Sequence, residues 1–297
     1  MRVATHPGNF HADDVFAIAT LRLAAALDGE TVEVVRTRDE AVHAEADARV
    51  DVGGRDDPAS GDFDHHQKGG AGERANGIRY ASFGLVWRAF GTQVAGSEAA
   101  ATAIDERLVQ GVDANDTGQT IAQALVGDIR AMSVSGVIAA LNASWDEELT
   151  PAEEDARFEE AVALATRILE REVTGAAAFD RARQLVLDAI ARAEDPRLIE
   201  LDRNMPWREA VVSGAPEALY VIYPKSDGWG LQAVPTAPGS FENRRSLPAE
   251  WGGLRSEELA AATGVGDAVF AHVAGFYAAA GSREGVTALA RLAMAQA

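Results

Sequence analysis

The 297-residue chain contains no cysteine. Disulfides, Cys-ligated zinc, iron–sulfur clusters and thiol nucleophiles are therefore excluded. Long apolar runs are missing too: no stretch approaches the ~18 residues that a membrane-spanning helix needs. The opening residues, MRVATHPGNFHADD, lack the charged start and apolar stretch of a signal peptide. The expectation is a soluble, cytoplasmic protein with no membrane partner. Lysine is scarce, with only Lys68 and Lys225 against 25 arginines. Basic residues number 27 and acidic ones 46, a formal net charge of −19. The imbalance lies in residues 1–202, with 19 basic and 37 acidic side chains, whereas residues 203–297 hold 8 and 9. Such a chain does not draw in nucleic acid through a general basic surface. A substrate held by a few arginines or by divalent cations stays compatible with it.

What is present is ordinary for a globular protein, 47% hydrophobic and 25% charged. The length suits about two domains. Val3-Ala4-Thr5 reads as a strand, Asp13 to about Leu27 as an Ala/Leu-rich helix, and residues 31–37 as a β-branched, alternating strand. A short helix near 38–46 and a strand over 49–52, ended by Gly53-Gly54, follow. Strands alternating with helices predict an α/β fold with a parallel sheet. Ligands of such sheets bind at the carboxyl ends of the strands, where His6 and Asp51 fall. Residues 68–77 form a Gly-rich loop, and Ser82 is an expected N-cap for a helix to about Phe90. Helical pattern continues through 97–112, 118–145 and 151–195. Residues 146–200 carry 15 acids and 7 bases, the mark of amphipathic helices with a solvated acidic face. Those helices also offer a surface through which a homodimer could form. Past residue 200 the character changes. Strands are expected at 219–223, 229–234 and 268–273, with a final helix from Arg283. A boundary near 195–205 divides residues 1–200 from a smaller α+β domain, 201–297.

Histidine placement is the sharpest chemical signal. Of six histidines, His6 and His11 precede Asp13 and Asp14, and Asp64, His65 and His66 are consecutive. Asp51 closes the third predicted strand, and Asp113 and Asp116 lie in VDANDTG. Each element has a plainer reading. The HADD segment suits helix N-capping, Asp51 before Gly-Gly suits an Asx-turn, and a loop histidine is often a surface residue. Adjacent histidines after an acid have no routine structural use. Imidazole and carboxylate together are the ligands of Mn²⁺, Zn²⁺, Fe²⁺ and Co²⁺ in sulfur-free sites. A pair of metals needs roughly six to eight such ligands, one carboxylate bridging, and acts by clamping phosphoryl oxygens and acidifying a bound water.

The order H-x4-H-x-D-D, D-V-G-G, D-H-H-Q, then V-D-A-x-D resembles the DHH phosphoesterase superfamily, which includes family II inorganic pyrophosphatases, RecJ-type exonucleases and oligoribonucleases. The nearer likeness is to its melanocyte proliferating gene (MYG) branch. It extends over HPGNFHADD (6–14), DVGG (51–54), DFDHHQ (62–67), YASFGLVW (80–87), VDANDTG (112–118), MPW (205–207), WGLQAVP (229–235), GSFENRRSLP (239–248), Trp251 to Arg255 and HVAGFYAAAGSREG (272–285). The resemblance implies an N-terminal α/β, parallel-sheet DHH domain with flanking helices, carrying two divalent ions. Mn²⁺ is the usual one, with Mg²⁺, Co²⁺ or Zn²⁺ as alternatives. It also implies a C-terminal domain that binds substrate across a cleft. Carried over by position, His6, His11, Asp13, Asp51, His65 and Asp113 would ligate metal. His66 would face the scissile phosphate and Asp64 would orient it. Asp14 and Asp116 are alternates. One departure is His11, where most relatives place an aspartate.

In the C-terminal part, Arg244, Arg245, His272, Ser282 and Arg283 are the candidate substrate-binding residues. Guanidinium matches phosphate bidentately, and Ser282-Arg283 sits at a predicted helix N-terminus. Taken alone, each arginine reads as a surface ion-pair partner. Trp229, Trp251 and Phe276 could stack bases, with core packing as the plainer use. The resulting expectation is a metal-dependent phosphodiesterase acting on short single-stranded RNA or DNA, as a 3′–5′ exoribonuclease. The alternatives are a small-molecule phosphohydrolase acting on a nucleotide or pyrophosphate, and a non-catalytic metal-binding protein.

Overall fold

Five short strands form the first sheet: Arg2–Thr5 (β1), Glu33–Arg36 (β2), Ala48–Val50 (β3), Asp56–Asp57 (β4) and Asp62–Phe63 (β5). In the computed structural model, which describes residues 1–127, 129 and 131–296, their order is β2-β1-β3-β5-β4. β1 pairs in parallel with β2 and β3, β3 pairs in parallel with β5, and β4 closes the edge antiparallel. Parallel strands need crossovers that cover the sheet, and Val3, Ala4, Val50 and Phe63 are accordingly buried.

The crossovers are helices Ala12–Leu27 (α1) and Glu40–Glu45 (α2). Ala and Leu dominate α1, and the small side chains let it sit deep: Val15 to Ala19 are all fully buried. Helix Ser82–Ala95 (α3) packs on it, with Phe16 and Phe83 stacked at 5.1 Å between ring centroids. Helices Glu98–Ile104 (α4) and Gln110–Asp116 (α5) follow, joined without a break by a π-turn over Asp105–Val109. The helix expected across 118–145 is short: only Val134–Ala139 (α6) is helical among the described residues. Positions 128 and 130 of that stretch lie outside them. Helix Pro151–Arg192 (α7) has 42 residues, about 63 Å at 1.5 Å each. Phe158, Ala161, Val162, Ala165 and Leu169 form its buried stripe, and its acids face solvent.

The chain divides into two units, Met1–Ala177 and Ala178–Ala297. The break therefore falls inside α7 and not at 195–205. A continuous helix conceals it, because composition changes only where the helix ends. The second unit has its own sheet: Leu198–Glu200 (β6), Tyr220–Lys225 (β7), Gly228–Ala233 (β8), Ala268–Ala271 (β9) and Tyr277–Ala280 (β10), in the order β6-β7-β8-β10-β9. Only β6 and β7 are parallel. Alternation along β7 feeds two cores. Val221 and Tyr223 pack with Val186 and with helix Arg208–Gly214 (α8) through Val211. Tyr220 and Ile222 pack with helices Ser256–Thr263 (α9) and Arg283–Ala295 (α10) through Leu259, Val286 and Leu289. No helix among the described residues is long and apolar enough to cross a membrane.

Candidate metal centre

Three adjacent parallel strands, β1, β3 and β5, each end in a residue expected at the site. His6 follows β1, Asp51 follows β3, and Asp64, His65 and His66 follow β5. Asp51 has φ of 58°, the left-handed region that aspartate tolerates better than most residues. Helix α1 starts immediately after His11 and places Asp13 and Asp14 in its first turn. The N-termini of α1 and α3 both meet this cluster, and their positive ends suit its negative charge.

The donor atoms converge in three groups: His6, His11 and Asp51; Asp51, His65 and His66; and His11, Asp13 and Asp116. Asp51 belongs to two of them. His65 Nε2 lies 3.1 Å from Asp51 Oδ1, 3.1 Å from Asp116 Oδ2 and 3.7 Å from Asp13 Oδ2. His6 Nε2 lies 3.3 Å from Asp51 and 3.2 Å from Asp14. His6 Nδ1 is 3.2 Å from the Pro7 carbonyl, which only accepts, so Nδ1 carries the proton and Nε2 is left as the ligand atom.

Asp113 is not in these groups. Its Oδ1 accepts from Gly84 N at 2.9 Å, and its Oδ2 pairs with Arg74 Nη1 at 2.8 Å. Arg74 also forms a two-pronged pair with Asp105 of the π-turn and lies over the Tyr80 ring. Asp113 thus holds helix α5 to α3 and to the Gly-rich segment, while Asp116, one turn on, meets His11 and His65. Asp14 takes an orienting place, accepting from His11 N and Val15 N through Oδ1. Asp64 accepts from Gly54 N at 2.5 Å and from His66 Nδ1 at 2.8 Å, so it fixes a histidine ring that is largely exposed. Ser82 is not the N-cap of α3; Ala81 is. Ser82 instead donates its hydroxyl to Asp51 Oδ1 at 2.9 Å and its N–H to Asp13 Oδ2 at 3.2 Å. A serine at a helix start has an evident capping role, which hid this one in the sequence.

Do these residues fit divalent cations? Asp13 and Asp14 are fully buried and Asp51 nearly so, and buried carboxylates need compensating charge. Asp13 Oδ1 is buried without a hydrogen-bond partner, and so are His6 Nε2 and His65 Nε2. Without a cation the cluster compensates with protons. Burial, then Asp51, Asp116 and Asp14, push the Asp13 carboxyl well above the ordinary range. The adjacent Asp14 and Asp51 carboxylates push His6 up to about 10. Burial opposes charge on His65, yet Asp116 and Asp51 outweigh it and push the ring up to about 10. Burial likewise opposes charge on Asp51, but His6 and His65 hold it well below the carboxylate range. Oxygen and imidazole donors with bare buried atoms and excess negative charge are what hard-to-borderline divalent ions take.

The five expected substrate residues of the second unit all have internal partners. Arg244 donates to the carbonyls of Val212, Ala215 and Ala218, closing the end of α8. Arg245 donates to the carbonyls of Met294 and Gln296 at the end of α10. Arg283 pairs through two bonds with Glu200, and Ser282 caps α10 by accepting from Gly285 N. His272 Nδ1 accepts from Ala274 N, and its ring lies tilted against Phe276 at 4.4 Å between centroids. Trp251 is buried in the core and Trp229 packs against it.

The family described as an uncharacterised protein family, UPF0160 (MYG1_exonuc), matches residues 2–294. A human protein named MYG1 exonuclease is 32% identical over 329 residues, covering 99% of this chain and 86% of its own. The MYG1 protein of Schizosaccharomyces pombe is 30% identical, with 99% and 97% covered. That of Chlamydia muridarum is 31% identical, with 95% and 92% covered. Among solved structures, RecJ in complex with Mn²⁺ from Thermus thermophilus aligns with 100% of this chain and 52% of its own at 14% identity and a TM-score of 0.31. That likeness is too loose to bear on fold or function.

Proposed function

The chain belongs to the MYG1 family, and from that membership we propose a metal-dependent phosphodiesterase, an exonuclease, acting on short single-stranded nucleic acid. The relatives named as exonucleases motivate the class. The observation that carries the reading is Asp51, shared between two groups of imidazole and carboxylate donors at the ends of β1, β3 and β5.

In this reading His6, His11 and Asp51 would hold one divalent ion, and Asp13, His65 and Asp116 together with Asp51 would hold a second, Mn²⁺ being the first to test. Bound there, two such ions supply positive charge to phosphoryl oxygens and an acidified water at neutral pH. The remaining work falls to the chain itself. Ser82 orients the Asp51 carboxylate, and the Pro7 carbonyl orients His6 through Nδ1. Asp64 holds His66 where its ring lines the same cavity as His6 and His11, able to hydrogen-bond a phosphoryl oxygen. RNA degraded from its 3′ end is the form of the activity we assign.

The test uses the purified full chain, Mn²⁺ and a series of labelled single-stranded oligonucleotides. Hydrolysis that a chelator abolishes is expected. The Asp51→Asn variant keeps the left-handed turn, because asparagine also tolerates it. Its activity should fall by about 100-fold or more, and its metal content should drop from about two ions per chain. Full activity in that variant overturns the proposal. A preference for mononucleotide or pyrophosphate over every oligomer reassigns the chain to the small-molecule phosphohydrolases.

A further inference from the structure

We infer that Arg38 is a phosphate-binding residue of the first unit, gripping a backbone phosphate of the substrate beside the metal centre; the inference rests on the phosphodiesterase reading above.

A cavity of about 810 Å³ opens over the centre and is lined by His6, His11, Asp51 and His66 together with Arg38 and His43. Arg38 is the only lysine or arginine among its lining residues. It is exposed and has no hydrogen-bond or ion-pair partner among the described residues, although Glu40 lines the same cavity. The other arginines around the first sheet are engaged. Arg36 holds Asp155 and the Gly8 carbonyl, Arg49 and Arg55 hold Asp62, Arg74 holds Asp105 and Asp113, and Arg88 holds Asp56. In a chain of net charge −19, an unpaired guanidinium next to a carboxylate-rich cavity is conspicuous.

The backbone is fixed. Arg38 sits at the carboxyl end of β2, next to the end of β1, where ligands of parallel sheets bind. Thr37 N donates to the carbonyl of Thr5, the residue before His6, at 2.8 Å. Asp39 N donates to Thr37 Oγ1 at 3.0 Å, and Asp39 caps α2 by accepting from Ala41 N at 2.9 Å. His43 Nε2 meets the Thr37 carbonyl at 2.9 Å, tying α2 back over the turn. These bonds tie the turn that carries Arg38 to the strand that carries His6. Guanidinium is suited to phosphate through two parallel N–H bonds. The metal-binding residues supply the scissile position, so Arg38 is left to take a neighbouring phosphate, and the substrate class is a polynucleotide and not a single phosphoester.

The experiment measures affinity of the full chain, loaded with Ca²⁺, for a fluorescent phosphorothioate pentanucleotide by anisotropy across a salt series. Arg38→Ala should weaken binding about ten-fold or more. The slope of log affinity against log salt should fall by about 0.7, one phosphate's worth for a single strand. Arg38→Lys should keep the slope and recover part of the affinity. Metal content by plasma mass spectrometry should equal that of the parent in both variants. Unchanged affinity and slope in Arg38→Ala overturn the inference. Failure of the parent itself to bind or hydrolyse any oligonucleotide overturns the phosphodiesterase reading instead.

Discussion

Asp113 and Asp116 show what a side chain's neighbours decide. Both lie in one short motif, three residues apart on one helix, and the family resemblance makes Asp113 the ligand and Asp116 only the alternate, the reverse of the donor groups in the structure. The discriminator is Arg74, distant in the chain and carried by a Gly-rich segment that reads only as a loop. Burial pushes the Asp113 carboxyl up to about 7, against the pull of Arg74. Asp113→Asn removes one carboxylate from Arg74, which Asp105 still holds, so it should cost stability by about 1–3 kcal/mol while leaving about two ions per chain. Asp116→Ala should do the reverse, losing one ion with little change in melting temperature under chelator. Scanning calorimetry and metal analysis on the pair check this; a metal-poor Asp113→Asn beside a metal-replete Asp116→Ala would return Asp113 to the ligand set. That His6, Asp51, His65 and His66 converge was legible because the paired histidine motif and the strand ends are local signals. The contacts of Ser82 with Asp13 and Asp51 were not, since it reads as an ordinary capping residue until its surroundings are seen.

At the scale of elements, α3 is the seat of the arrangement. Its first turn bonds Asp13, Asp51 and Asp113 through Ser82 and Gly84. Gly84 lies in a helix, where alanine is favoured by about 1 kcal/mol. A Cβ there would overlap the Asp113 carboxylate and crowd Arg74. Gly84→Ala should accordingly destabilise, by about 1–3 kcal/mol as in overpacked cores, and weaken metal retention because α5 must move. Urea denaturation with parallel metal analysis reads both, and a stabilised variant would show that α5 is free to yield. The long elements α1, α7 and α10 and the strand β7 were legible from periodicity. Strands β4, β5 and β6 span two or three residues, too few for a period to register. Helices α8 and α9 are each of one or two turns and draw their stability from Trp207, Val211 and Leu259 in the core.

For the molecule as a whole, the decisive quantity is the charge it encloses. With His6 and His65 each pushed up to about 10 from 6.5, the metal-free protein holds both rings protonated at neutral pH. A raised histidine stabilises the fold fully below about 6.5, and that contribution disappears as pH climbs through about 10. Metal affinity should rise across the same window, because ligation needs neutral imidazole. Calorimetric titration with Mn²⁺ at pH 7.5 in two buffers of different ionisation enthalpy should report release of at least two protons per chain, one from each ring, with any proton held by Asp13 adding to them. Heats independent of the buffer would contradict the protonated cluster. The two-unit organisation was visible as a shift of composition, but the position of the division was masked by the length of α7.

The π-turn at Asp105–Val109 has a consequence for chain length. A π-turn admits one residue more than an α-turn, and each residue advances a helix by about 100°. The extra residue acts as a gear tooth. It sets the angle at which α5 emerges, so that Asp113 meets Arg74 and Asp116 meets His11 and His65. Removing a single residue there would leave an uninterrupted helix of respectable propensity, turned so that both carboxylates face the wrong way. In this helix a one-residue deletion would register as a lost ion and a broken Arg74–Asp113 pair, and the smoother helix would be the defective one.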